Sequence, residues 1–322
     1  MTEINRDLVC VLIPTLNEKA TIGPVIEELK AFGYRNILVA DGRSTDGTAE
    51  IAEKLGAKVF TQKGKGKGKA MIEAFSIIEE PYILMLDGDG TNPPEFADRM
   101  VEPLFDGRAD HVIGNRLESY EKGALTRLNR FGNEVMNRMF KWAHGVYMTD
   151  ILSGYRAFTK ASLEQMHLTE SGFEIETEIS SEVIHHNLRF EVVPTYYKKR
   201  PGSPTKLNPI KDGAKIILAI NKYGKMNNPM FHFSTIGVLL SRAGLASGIY
   251  VVYDWLHGIE HLPLTILTML LIVTGILAFM IGLLSDMIVA CYYKIWSCYK
   301  WRTICSTSKY RTKNNNENEK KW

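Results

Sequence analysis

Cysteine is scarce, with four thiols in 322 residues. Cys10 lies in an apolar run, while Cys291, Cys298 and Cys305 recur every seventh residue with no histidine pattern beside them. This excludes a disulfide framework and a Cys/His zinc site and fits reduced thiols in a cytosolic setting. An excess of one charge is missing too: 39 Lys and Arg against 36 Asp and Glu leave a formal net charge of +3. Without a basic stripe interleaved with aromatics, nucleic acid is excluded as a partner. No apolar segment precedes the first expected strand, so nothing marks the N-terminal part for export. Histidine chemistry has no support, since His111, His144, His185 and His186 lack companions at catalytic spacing and read as structural.

Long apolar runs are absent up to residue 230 and then dominate. Phe231 to Ala290 carries only Arg242, Asp254, Glu260 and Asp286 as charges. Phe231 to Tyr253 and Leu262 to Ala290 are each long enough for a helix across a hydrocarbon core of about 30 Å. Their linker, Asp254 to His261, has no Lys or Arg, whereas Lys211, Lys215, Lys222 and Lys225 precede the pair and Lys294, Lys300, Arg302, Lys309, Arg311 and Lys313 follow it. The positive-inside rule then predicts a two-helix hairpin in the cell membrane with both termini cytoplasmic. Arg242, near mid-span, costs at least about 2.5–3.5 kcal/mol on insertion scales and is expected to face Asp286 or a lipid phosphate, or to snorkel from a tilted helix. Gly244 and Gly248 suit close helix contact, which does not define an oligomer. Just ahead, Ile210, Ile216, Ile217 and Ile220 oppose Lys211, Lys215 and Lys222, the pattern of an amphipathic helix over about 208–225 in the headgroup layer. The expected units are residues 1–228, the hairpin 229–291, and a basic tail 292–322 whose end, from Ser306, has too little apolar content to fold alone.

What is present in residues 1–228 is alternation. Leu8 to Ile13, Asn36 to Ala40 and Tyr82 to Leu86 are short apolar runs separated by helical patterns, so the expected fold class is α/β with a mostly parallel, Rossmann-like sheet. Ligands of such sheets bind at the carboxyl ends of the strands. Two acidic loops lie there, Asp41 to Thr48 and Asp87-Gly88-Asp89. Paired carboxylates one residue apart suit a hard cation, Mg²⁺ or Mn²⁺, that is completed by a substrate's phosphates.

With Ile13-Pro14-Thr15-Leu16-Asn17-Glu18, Asp41, Ser44-Thr45-Asp46-Gly47-Thr48, Asp87-Gly88-Asp89 and Gly114-Asn115-Arg116 in this order, the chain resembles a family-2 glycosyltransferase of the GT-A fold. Asp150-Ile151-Leu152-Ser153-Gly154-Tyr155-Arg156 narrows the resemblance, over roughly residues 8 to 225, to dolichyl-phosphate sugar synthases, most like archaeal enzymes that load glucose or N-acetylglucosamine onto dolichyl phosphate. The resemblance implies a nucleotide diphosphate sugar as donor, held by Pro14, Thr15, Leu16, Glu18, Asp41, Lys69, Asp87, Gly88 and Asp89. It makes Asp89, helped by Asp87, the metal-holding pair, and Asp150 with Ser153 and Gly154 a shaper of the sugar or acceptor pocket. Where the family often has a Gln ligand this chain has Thr91 and Asn92, and Leu16 stands where many members have Tyr, so the third metal ligand and the base contact stay open.

A lipid phosphate needs cations. Arg116 and Arg200 match family positions, and Arg127, Arg130, Ser203 and Lys206 are further choices. The run Gly64 to Lys69 allows close backbone approach, yet no Gly-Lys-Ser/Thr follows, so it is no P-loop; the family resemblance implies a Gly-rich, Lys-containing helix start here, near the nucleotide. A phosphate monoester is largely ionised at neutral pH, its second pKa being about 6, and attacks without a strong base. Catalytic weight is therefore expected on Asp87, Asp89, Arg116 and Asp150. The family resemblance implies a uridine donor, N-acetylglucosamine ahead of glucose, with GDP-mannose third. A processive polysaccharide synthase would carry Gln-x-x-Arg-Trp, which is absent, and a regulatory nucleotide-sugar binder would have no need of both Asp87 and Asp89.

Overall fold

The computed structural model describes residues 4–201, 206, 208 and 211–319. Contacts divide the chain into two units, Met1–Asn227 and Asn228–Trp322. The first unit is built on seven strands: β1 (Val9–Thr15), β2 (Ile37–Asp41), β3 (Lys58–Thr61), β4 (Tyr82–Met85), β5 (His111–Tyr120), β6 (Arg156–Thr159) and β7 (Phe190–Tyr197). Their order is β3-β2-β1-β4-β6-β5-β7, and β6 alone runs antiparallel to its neighbours β4 and β5. The apolar runs seen in the sequence follow from this arrangement, because strands covered on both faces need side chains that tolerate burial on both.

Helices α1 (Lys19–Ala31), α2 (Thr48–Lys54) and α4 (Ala97–Phe105) bracket α3 (Lys67–Phe75) in the chain. Beyond them come α5 (Arg127–His144), α6 (Lys160–Leu163), α7 (Ile175–His185) and α8 (Lys211–Asn227). In α1 the buried residues Ile22, Val25, Ile26 and Leu29 recur at helical spacing and join Met100 and Leu104 in one core layer. On the other face Met71, Ala74, Phe140, Ile175 and Ile179 form the second layer. Between these layers the first four strands send their carboxyl ends to one rim, with Thr15 in register with Asp41 and Asp41 with Thr61.

Two details aim the rim inward. The pairing of β5 with β7 slips between Asn115 and Ser119. Buried Asn115 fills that bulge, donating to Glu118 (2.7 Å) and accepting from the Leu117 amide (3.1 Å), and a bulge of this kind re-aims the side chain it carries, here Arg116. On α8, Ile216, Ile220 and Tyr223 are buried while Ile217 and Leu218 face outward among exposed Lys211, Lys215 and Lys222. Ile210 lies outside the described residues.

The second unit is a pair of helices, α9 (Pro229–Leu256) and α10 (Leu262–Glu319). Pro229–Leu256 and Leu262–Val289 are long and apolar enough to cross a membrane. The two meet at small residues: a Cβ on Gly275 would lie 2.4 Å from Ser241 Oγ, and one on Gly244 would lie 2.7 Å from Ile272. Gly282 packs beside Met230 and Ser234, so Asp286, a turn further along, lies at the start of α9, about 18 Å along the axis from Arg242. Asp286 is therefore not the partner of Arg242. Residues 292–319, the first part of the basic tail and most of its low-apolar end from Ser306, continue α10 as helix. Each residue added to an existing helix gains a backbone bond without needing a core of its own.

Candidate active site

Three neighbouring parallel strands end in buried acceptors that lack a donor. Thr15 Oγ1, Asp41 Oδ1 and Gln62 Oε1 have no hydrogen-bond partner among the described residues. An unsatisfied buried polar atom costs about 1–3 kcal/mol, so three at one sheet edge mark a place for a ligand's donors. The other oxygen of Asp41 is held by the Ser44 amide at 3.0 Å. Pro14 sits inside β1 beside Ala40, and Leu16 is exposed at the mouth. Gln62, one residue beyond an edge strand with an exposed face, carried no signal in the sequence.

Next along the rim, Asp87 leaves β4. Lys67 Nζ donates to its Oδ1 at 2.6 Å and reaches Glu176 Oε1 at 2.8 Å. Burial opposes the charge on Lys67, but Asp87 and Glu176 outweigh it and raise its pKa. Burial likewise opposes ionisation of Asp87, which Lys67, Arg116 and Arg200 nevertheless hold below the usual carboxylate range. Gly154 abuts this carboxylate so closely that a Cβ there would lie 2.3 Å from Asp87 Oδ2. Asp89 accepts from the Thr91 hydroxyl at 2.7 Å and faces Arg200 at 3.3 Å. Burial, then the charge of Asp87, raises the pKa of Asp89. Arg200 also pairs with Glu18, which Lys206 contacts at 2.6 Å.

On the far side, Arg116 donates through Nε to Asp150 (2.9 Å) and through Nη2 to the Leu152 carbonyl (2.8 Å), with its guanidinium 5.4 Å from the Tyr197 ring centre. Asp150 Oδ1 is buried without a partner among the described residues. Ser153 is buried in the same loop and accepts from the Tyr155 amide.

Other expected residues lie elsewhere. Lys69 is exposed and packs over Gly64 beside Glu73, and Lys67, two positions earlier, is the lysine that turns inward. The glycines around it serve packing: a Cβ on Gly66 or Gly68 would lie 2.3 Å from the carbonyl of Ser171 or Glu170. Arg127 and Arg130 are exposed at the start of α5, beside exposed Leu128 and Phe131, with Arg130 over the Tyr120 ring. Ser203 falls outside the described residues.

No group of three or more His, Cys, Asp or Glu side chains suited to a metal occurs among the described residues. Two carboxylates are present, Asp87 and Asp89, and this oxygen donor set fits a hard cation that takes its remaining ligands from substrate phosphates and water. It does not fit a cage made by protein alone.

Residues 10–165 match the model of glycosyl transferase family 2, and residues 228–291 match the GtrB C-terminal hairpin. The chain is 47% identical over 287 residues to the glycosyltransferase AglJ of Haloferax volcanii, covering 88% of this chain and 94% of that one. It is 34% identical over 227 residues to a dolichyl-phosphate hexose transferase of the same organism, covering 69% and 96%. It is 26% identical over 181 residues to a UDP-N-acetylglucosamine–dolichyl-phosphate N-acetylglucosaminyltransferase of Methanococcus voltae, covering 49% and 71%. Among solved structures, glucosyl-3-phosphoglycerate synthase from Mycobacterium tuberculosis, in complex with Mn²⁺, UDP and glucosyl-3-phosphoglycerate, superposes with a TM-score of 0.56 at 21% identity, over 67% of this chain and 79% of that one. At that identity the likeness speaks for the fold, the GT-A arrangement.

Proposed function

Because the chain belongs to glycosyl transferase family 2, we propose that this glycosyltransferase moves a sugar from a uridine diphosphate sugar to dolichyl phosphate, with inversion, for protein N-glycosylation. N-acetylglucosamine and glucose are the favoured sugars. The observation that carries the reading is the division of the cleft: unpaired acceptors at the ends of the first three strands on one side, cations on the other, and Asp87 with Asp89 between them. The names of the dolichyl-phosphate relatives support the acceptor.

In this reading the donor's base and ribose meet Thr15, Asp41 and Gln62. Asp87 and Asp89 would hold the divalent metal, which when bound neutralises charge on the departing diphosphate. Lys67 keeps Asp87 ionised and Arg200 keeps Asp89 oriented, so the pair is set before the donor arrives. Arg116, fixed by Asp150 and the Leu152 carbonyl, presents a guanidinium to the lipid phosphate, whose oxygen attacks the anomeric carbon from the face opposite the leaving group. A single displacement inverts that centre. Asp150 and Gly154 shape the floor under the sugar. α8 lies directly before α9 in the chain, and its outward Ile217 and Leu218 among lysines suit a lipid surface, as do Leu128 and Phe131 on α5. With basic residues flanking both outer ends of the hairpin, both termini are cytoplasmic.

The test is transfer of labelled N-acetylglucosamine from UDP-N-acetylglucosamine into solvent-extractable lipid by membranes carrying the protein and supplied with dolichyl phosphate. Chelation should stop it and added Mn²⁺ or Mg²⁺ restore it. Transfer that persists in chelator would remove the metal from the account.

A further inference from the structure

Among the described residues Arg156 is the largest fully buried side chain, and no carboxylate lies within ion-pair distance of it. Burial brings its pKa down to about 10, with Glu176 and Asp150 working the other way, so it stays charged at neutral pH. A buried, unpaired cation is expensive and is kept only if its hydrogen bonds are well made. Here they are made to backbone. Nε donates to the Ser153 carbonyl (2.8 Å), and Nη2 donates to the Ile151 carbonyl (2.7 Å) and to Ser180 Oγ (3.1 Å). Nη1 faces His111 Nε2 at 3.4 Å. Burial, then Arg156 itself, pushes the His111 pKa well down, so the neutral ring is able to accept.

The two clamped carbonyls alternate with the working positions of the same loop. Asp150 holds Arg116 Nε, the Leu152 carbonyl holds Arg116 Nη2, and Gly154 abuts Asp87, while Ile151 and Ser153 are the residues Arg156 grips. We infer that Arg156 is a positioning residue, its planar fork fixing the 150–154 loop so that Asp150 and Leu152 set Arg116 for the transfer. A lysine has the charge but not the fork, and cannot span both carbonyls and Ser180 in one plane. The inference rests on the proposed reading only in giving Arg116 the acceptor phosphate.

The experiment uses the full chain in detergent, comparing wild type, R156K, R116A and the double variant by two readouts. Hydrogen exchange needs no substrate: in R156K the amides of residues 150–155 should exchange at least about tenfold faster while those of β1, β2 and β4 stay unchanged. In kinetics, R156K should lower kcat/KM for dolichyl phosphate by at least about tenfold, because a misplacement near 1 Å costs about a hundredfold, while affinity for UDP with Mn²⁺ stays within about twofold. In the R116A background the same substitution should cost no more than about twofold, since the two act through one arrangement. Wild-type exchange in the loop, a rise spread evenly over the sheet, or full additivity with R116A overturns the inference. If wild type shows no transfer to dolichyl phosphate, or R116A leaves the acceptor dependence untouched, the functional reading falls and the exchange readout still decides on Arg156. Should R156K not fold, Ser180→Ala removes one partner of the fork, and a smaller rise confined to the same loop is expected; a wild-type pattern there also overturns the inference.

Discussion

Asp89 is held by Thr91 and Arg200, and Asp87 by Lys67, so each carboxylate of the pair has a fixed direction. Asp89→Asn keeps the volume and removes the charge, and should lower turnover by at least about a hundredfold, roughly 2.7 kcal/mol of transition-state stabilisation. Asp87→Asn should come close to this. Steady-state rates of purified variants decide, and near-normal rates in both would take the pair out of catalysis. His111 gives a second, pH-linked outcome. Its folded-state pKa is depressed by burial and by Arg156, so below the ordinary value near 6.5 the unfolded chain binds a proton that the folded one refuses. Stability from this group is complete above that pH and falls as pH drops through it, by up to about 1.4 kcal/mol per unit. Denaturant titrations of wild type and His111→Asn from pH 7 to about 5 should show the steeper loss in wild type; parallel curves contradict it. Asp41, Asp87, Asp89, Arg116, Asp150 and Arg200 were legible in the sequence because each ends a strand or sits in a recognisable motif. Lys67, Glu176 and Gln62 were not, because which lysine of a Gly-Lys run turns inward depends on how the 169–172 loop packs on Gly66 and Gly68. No local pattern encodes that packing.

Among elements, β1, α1, β2 and β4 were readable to within a few residues, since the strands are uniform apolar runs and α1 has clean spacing, whereas the edge strand β3, with its exposed face, was not. The bulge in β5 was not readable, although it is what aims Arg116, because it depends on register with a strand some 80 residues later. The loop between α5 and β6 provides a sharp prediction. Gly154→Ala places a methyl within 2.3 Å of Asp87 Oδ2, backbone against carboxylate, so turnover should fall by at least about a hundredfold while thermal stability changes little by comparison. An active Gly154→Ala enzyme would mean that the loop stands off from Asp87 in the working state. For the hairpin, a reagent confined to the cell exterior should label a cysteine placed at Gly258 and miss one placed at Asn315, in a background without the native cysteines. The reverse pattern overturns the cytoplasmic termini.

Taken whole, the molecule joins a nucleotide-sugar fold to a pair of membrane-length helices, a combination that the composition break at residue 231 announces and that the two family matches reproduce. Arg242 makes no ion pair among the described residues and lies at the level of Ile272, far from Asp286. The proposed placement of donor and lipid acceptor on opposite sides of one cleft predicts separable defects. Arg116→Ala should impair dependence on dolichyl phosphate or turnover, at about 1.5–3 kcal/mol for one lost charge-assisted contact, with donor affinity within about twofold, whereas Arg200→Ala, which frees Asp89 and Glu18, should weaken donor binding with Mn²⁺ as well. Calorimetry of donor binding set beside kinetics at varied dolichyl phosphate checks both halves, and abolished donor binding with intact lipid dependence in Arg116→Ala would misplace the acceptor. The most direct test of the central claim is a donor panel: membranes containing the protein, with and without added dolichyl phosphate, given labelled UDP-N-acetylglucosamine, UDP-glucose or GDP-mannose, and the label in the lipid extract counted. Lipid label should come from a uridine diphosphate sugar, rise with dolichyl phosphate and disappear in Asp89→Asn; label from GDP-mannose alone, or none that depends on dolichyl phosphate, would overturn the proposed reaction.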